Sequence, residues 1–204
     1  MVVPNADVDE RILDAALHRI SQVGIRRASV DDIARGCGIT RITIYRRFIS
    51  KENLVDAVLT REVHRLLSEL TTIAAVTDSP DVQIEESVLH VLRQTHAHPL
   101  LSRLTAVAPE EAVAFYTLRG GEIITLGIDY IVEALGQAQR GGLIDQYDPR
   151  PVAELLARLA HSLLLTPAGG LRLQNEETAR EFVRGFITPL VKHGIKGHSS
   201  NLSG

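Results

Sequence analysis

A single cysteine, Cys37, in 204 residues excludes an internal disulfide framework and fits a reducing, intracellular setting. Tryptophan is absent, and there are only four tyrosines and four phenylalanines, so each aromatic in the central region stands out. No apolar run approaches the ~20 residues that span a bilayer. The N-terminal MVVPNADVDE has no basic segment ahead of an apolar one, so no signal peptide is expected. A soluble, cytoplasmic protein with no membrane partner is the expectation. Also missing are a Walker loop, G-x-G-x-x-G, H-E-x-x-H and G-x-S-x-G, which would signal phosphate cradling, dinucleotide binding, zinc hydrolysis or a serine nucleophile. No enzyme activity, cofactor or metal is expected. His96 and His98, two apart on a helix, point to different faces and make a poor metal pair.

Acidic residues are missing from one place in particular. Between Arg35 and Lys51 there are five cationic residues and no carboxylate, although the whole chain carries a net charge of −3. A concentrated basic patch on a near-neutral body points to a local anionic partner.

What the chain does have is helical periodicity. Ile12, Leu13, Ala16, Leu17 and Ile20 recur at three- and four-residue steps, predicting a helix over 8–23 that stops at Gly24. Ser29 reads as the cap of a short second helix, with Asp31 and Asp32 in its first turn. Its inward residues are Val30, Ile33 and Ala34. The turn Gly36-Cys37-Gly38-Ile39 follows, with Cys37 read as a small buried hydrophobe. Thr40 caps a third helix and Ser50 a fourth, which runs to about Ala75. Further helices are expected at 81–96, 99–107, 110–118, 121–139, 150–165 and 176–193, with breaks at Pro and Gly. A loose domain boundary is expected near 61–68, inside the fourth helix. Glu110 and Glu111 fit a helix N-terminus better than acid–base catalysis.

Two short helices joined by a Gly-containing turn make a helix-turn-helix. Ile39, Ile44 and Phe48 can close against Val30, Ile33 and Ala34, over a floor of Leu13 and Leu17. The opposite face of the third helix then displays Arg41, Ile42, Thr43, Tyr45 and Arg46. An isoleucine among arginines suits the major groove of B-DNA, where thymine offers a methyl group and guanine two acceptors. Ile42 can pack on the methyl while Arg41 or Arg46 reaches guanine O6 and N7. Ser29, Thr40, Tyr45, Arg47 and Lys51 lie at helix ends or flanks, positions suited to phosphates. Two other readings stay open: an all-α enzyme or carrier with an incidental helix-turn-helix, and an interaction module whose basic patch takes an acidic protein.

The run ILDAALHRISQVGIRRASVDDIARGCGITRITIYRRFISKENL resembles the N-terminal region of the tetracycline-repressor (TetR) family of transcriptional regulators. It has the first helix ending in Gly, the S-V-x-x-I-A second helix, the G-I-T turn, T-I-Y, then F and S-K-E-x-L. The resemblance implies an all-α fold: a three-helix N-terminal helix-turn-helix DNA-binding domain over 1–52 and a larger helical effector-binding and dimerisation domain over 53–196. Residues 197–204 would be a flexible tail. It also implies a homodimeric repressor of a palindromic double-stranded DNA operator, released by a small-molecule effector. In the family, residues matching Ser29, Arg41, Thr43, Tyr45, Arg47 and Lys51 contact DNA. The Arg47 position often carries His, and the Ile42 position is often Gly or another small residue.

Two later segments, LLARLAHSLLLTPAGG and ETAREFVRGFITPLV, resemble the last two long helices through which the family dimerises. Leu155, Leu156, Leu159, Leu163 and Leu164 give one a wide apolar face; Phe182, Phe186, Ile187, Leu190 and Val191 give the other one. The combined width exceeds what a single chain's core uses. Phe115, Tyr116 and Tyr130 fall where the family's ligand cavity sits, and read as core residues or as effector contacts. Arg103 and Arg119, if inward, would pair with an anionic ligand, and His161 is a polar lining residue or a satisfied core histidine.

Overall fold

Side-chain caps set the helix starts at the N-terminal end of the chain. Ser29, in extended conformation, accepts from the Asp32 N–H at 3.0 Å. Thr40 does the same for the Thr43 N–H at 3.3 Å. Each satisfies a donor the helix cannot. A computed structural model describes residues 5–77, 79–98, 103–104, 106–118, 120–166 and 172–195. Its helices are α1 (Asn5–Val23), α2 (Val30–Gly36), α3 (Arg41–Phe48), α4 (Lys51–Ala75), α5 (Pro80–Ala97), α6 (Pro109–Leu118), α7 (Gly120–Arg140), α8 (Pro149–Leu165), α9 (Glu176–Phe182) and α10 (Thr188–His193). The fold is all-α, with no strand among the described residues. The helix expected over 99–107 falls partly outside the described residues, and the tail 197–204 wholly so.

The chain divides into two compact units. One is Met1–Leu66 with Gln94–Ile123; the other is Leu67–Arg93 with Ile124–Gly204. The first crossing lies inside α4, between Leu66 and Leu67.

In the first unit, α1, α2, α3 and the start of α4 close on one core. Ile12, Leu13, Ala16, Val30, Ile33, Ala34, Ile44, Leu54 and Val58 are buried, with Leu17, Ile39 and Phe48 packed around them. Cys37 is buried among them, its thiol donating to the Ile33 carbonyl at 3.1 Å. Burial pushes that thiol's pKa up, away from reactive thiolate. Below this core, Arg61 of α4 bridges to α1: its guanidinium meets Asp14 at 2.8 Å and Glu10 at 3.2 Å, and it also takes Glu62 at 2.7 Å. Glu62 is shared with His98 at 3.0 Å. Burial would raise the Glu62 carboxyl, but His98 and Arg61 hold it below the usual range.

The link from α3 to α4 is strained. Ile49 takes φ 65° and ψ −51°, and the Ser50 N–H donates to the Phe48 carbonyl at 2.6 Å. That is a γ-turn of the less favoured hand. A β-branched residue at positive φ is costly, and here it is also 77% exposed.

In the second unit, Leu135, Ile144, Val152, Val183, Ile187 and Val191 form the main core, with Leu156, Leu159, Phe182 and Leu190 beside them. The buried Glu85 of α5 ties the C-terminal helices in place, meeting Arg184 at 2.6 Å and Arg180 on its other side. The single helix expected over 176–193 is a correction. It contains a π-turn over Val183–Ile187, closed by the Thr188 N–H on the Val183 carbonyl. Pro189 follows, and it has no N–H for the carbonyl four residues back at Gly185. The wider turn lets the helix pass this gap without breaking.

Candidate DNA-binding surface

The third helix separates its two isoleucines completely. Ile44 is 1% exposed, locked in the core, whereas Ile42 is 78% exposed. Two residues are about 200° apart on an α-helix, so burying Ile44 and Phe48 turns Ile42 to the outside. Thr40, Arg41 and Arg46 are exposed with it, while Thr43 and Tyr45 are half-buried.

The cationic side chains are held in three ways. Arg41 lies 3.4 Å from Asp31 of α2 and its guanidinium sits over the Tyr45 ring, 5.2 Å from the centroid. The ion pair is exposed on both sides, so it is worth little and opens readily; the ring contact keeps the guanidinium on the outer face. Arg46 is exposed on the outer face of α3. Arg47 turns back to α1, where it meets Asp9 at 2.5 Å with its side chain 18% exposed. Lys51, the first residue of α4, donates to the Arg26 carbonyl at 2.9 Å. The Ser29 hydroxyl that caps the Asp32 N–H also lowers the Asp32 carboxyl most, ahead of Arg19 and Arg35.

The contacts that Asp9, Asp31 and the Arg26 carbonyl make with these cations are not legible in the sequence. Their partners lie 38, 10 and 25 positions away, and no local pattern joins such residues. All nine expected DNA contacts lie in the first unit, on α3 or at the starts of α2 and α4.

The expected effector residues divide between the two units. Tyr116 is buried on α6 in the first unit, and burial pushes its phenol well up. Arg103 is exposed. Tyr130 and His161 belong to the second unit, where the Tyr130 hydroxyl lies 3.2 Å from Thr71 Oγ1. The Phe115 side chain and Arg119 fall outside the described residues, as does the His96 side chain.

Residues 12–58 match the family model described as "Bacterial regulatory proteins, tetR family". The HTH-type transcriptional regulator Rv1255c of Mycobacterium tuberculosis is 30% identical over 188 residues, covering 89% of this chain and 84% of its own length. The chain belongs to the TetR family. This TetR-family protein is a transcriptional regulator whose helix-turn-helix is the surface just described. The TetR-family repressor AlkX from Dietzia sp., implicated in biodegradation of n-alkanes, superposes with TM-score 0.68 at 18% identity, over 90% of this chain and 94% of AlkX. FadR of Bacillus subtilis, in complex with stearoyl-CoA, superposes with TM-score 0.60 at 16% identity, over 91% and 98%. Both establish the fold. Among the described residues of this regulator no helix is long and apolar enough to cross a membrane.

Proposed function

We propose that this TetR-family regulator is a homodimeric repressor that reads its operator with the outer face of α3 and is released by a small-molecule effector. The observation that carries the reading is the exposure of Ile42 between Arg41 and Arg46, opposite a fully buried Ile44. Ile42 packs on a thymine methyl, and Arg41 and Arg46 supply donors for guanine. Ser29, Thr40, Thr43, Tyr45, Arg47 and Lys51 set the register on phosphates. Residues 1–52 do the reading, and 53–196 bind the effector and dimerise.

Exposed apolar side chains on the last two long helices support the dimer. Leu155 on α8 and Phe186 in the π-turn are both left uncovered by their own unit. Two copies would then address half-sites about 34–36 Å apart, or a multiple of that. Phe115, Tyr116, Tyr130, His161 and the arginines at 103 and 119 are the candidate effector contacts, and an effector favouring another head spacing would lower operator affinity by population shift.

Recovery of bound genomic fragments, followed by selection from a randomised library, tests the reading. The wild-type protein is expected to yield a palindromic site, and Ile42→Ala to relax preference at a thymine within it. An unchanged selection profile in Ile42→Ala defeats the thymine-methyl contact. Absence of any specific site at moderate salt defeats the regulator's proposed mode of action altogether.

A further inference from the structure

The main chain of Arg26 is held from both sides. Its N–H donates to Glu111 Oε2 at 3.0 Å, and its carbonyl accepts from Lys51 Nζ at 2.9 Å. Arg26 sits in the loop between α1 and α2, Glu111 in the first turn of α6, and Lys51 at the start of α4. One peptide segment thus connects a carboxylate 85 positions away to an ammonium 25 positions away. All three residues belong to the same compact unit.

The approach of α6 to this loop is close. Gly24 adopts φ +86°, and a Cβ there would come within 2.9 Å of Ala108 Cβ and 3.2 Å of Glu111 Oε2. Glycine is needed for the backbone angle and for the space. The Arg26 guanidinium is not the attachment point: its Nε is 3.9 Å from the carboxylate and the side chain is exposed.

We infer that Glu111 is a positioning residue for DNA binding: it fixes the α1–α2 loop, and the loop's Arg26 carbonyl fixes the Lys51 ammonium. This rests on the assignment of Lys51 to a DNA phosphate. A lysine carries a flexible four-carbon stem, and ordering it at an interface costs affinity. One N–H on a carbonyl restrains the ammonium and leaves two for a phosphate. The same bond links α6, through the α1–α2 loop, to the first residue of α4.

Glu111→Ala, Glu111→Gln, Lys51→Ala and the Glu111→Ala/Lys51→Ala double variant of the full chain test this. Binding to a random-sequence duplex is followed by fluorescence anisotropy at several salt concentrations. Lys51→Ala should lower the slope of log K against log salt by about 0.9 per protomer. Glu111→Ala should weaken binding roughly three- to tenfold, although removing a carboxylate would on charge alone strengthen it. Glu111→Gln keeps an oxygen acceptor and should bind at least as well as wild type. The double variant should be no weaker than Lys51→Ala alone. Hydrogen exchange at the Arg26 amide should rise in Glu111→Ala and stay slow in Glu111→Gln, a readout independent of DNA. Wild-type binding by Glu111→Ala, with a normal Lys51→Ala effect, overturns the inference alone. A slow Arg26 amide in Glu111→Ala overturns it too. A salt slope unchanged in Lys51→Ala overturns both the inference and the phosphate assignment beneath it.

Discussion

Arg47 on α3 and Asp9 on α1 form an ion pair, guanidinium nitrogen to carboxylate oxygen at 2.5 Å, across 38 positions of chain. The pair clamps the recognition helix onto the first helix and turns a cation away from the outer face. Arg47 therefore has two claims on it, one structural and one from its proposed phosphate contact.

The two claims separate in the variants. Arg47→Ala should lower the stability of the protein by about 1 kcal/mol, the size of a partly buried charged contact, and weaken all duplexes about equally. Asp9→Asn should also destabilise slightly but should tighten DNA binding, because it frees the guanidinium and removes a negative charge. Thermal denaturation and duplex titrations on both variants check this. Equal loss of DNA affinity in both would assign Arg47 to the clamp alone.

Ile49 offers the opposite outcome. Its positive φ is disfavoured for a β-branched residue and its side chain is exposed, so little packing is lost on removing it. Ile49→Gly should therefore stabilise the folded chain by up to about 1 kcal/mol after the added unfolded-state freedom is counted. Urea midpoints give the answer. A loss of stability would mean that the isoleucine makes contacts that outweigh its strain.

Phe186 tests the proposed dimer. It is 68% exposed, with its ring centroid 5.4 Å from that of Phe182. Phe186→Asp should leave helical content near wild type, since the position is outside the core, but shift the sedimentation profile from dimer to monomer. Operator affinity should fall with it. A Phe186→Asp protein that sediments as wild type places any dimer contact elsewhere.

Acid stability should report Glu85. Arg184 first and then Arg180 hold its carboxyl below the ordinary value of 4.5. A folded-state pKa below the unfolded one contributes stability that is complete above pH 4.5 and is lost as pH falls through the folded value. Glu62, also lowered, acts in the same direction and window. The urea midpoint should drop below about pH 4.5, and Glu85→Gln should flatten part of that drop. A midpoint that falls equally steeply in Glu85→Gln would rule out this carboxylate as a source.

Much of the N-terminal region is readable from short-range signals. Ser29 and Thr40 announce helix starts through bonds to residues three positions on, and Gly24 marks a stop through its own backbone angle. Ile44 and Phe48 set the inward face of α3 by spacing alone, and the outward face of Ile42 follows. These features depend on neighbours within one or two helical turns, so local periodicity and capping chemistry specify them.

The pairings on that surface are of another kind. Arg41, Arg46, Arg47 and Lys51 look alike along the chain, yet one is held by Asp31 and a tyrosine ring, one projects outward, one is clamped by Asp9 and one rests on a carbonyl. Which cation meets which acceptor depends on distances between helices remote in sequence, and on rotamers that spacing does not encode. The π-turn before Pro189 and the grouping of Gln94–Ile123 with the N-terminal core are settled in the same way. Hydrophobic period dictates which side of a helix is dry; only packing in three dimensions sets what each charged group on the wet side touches.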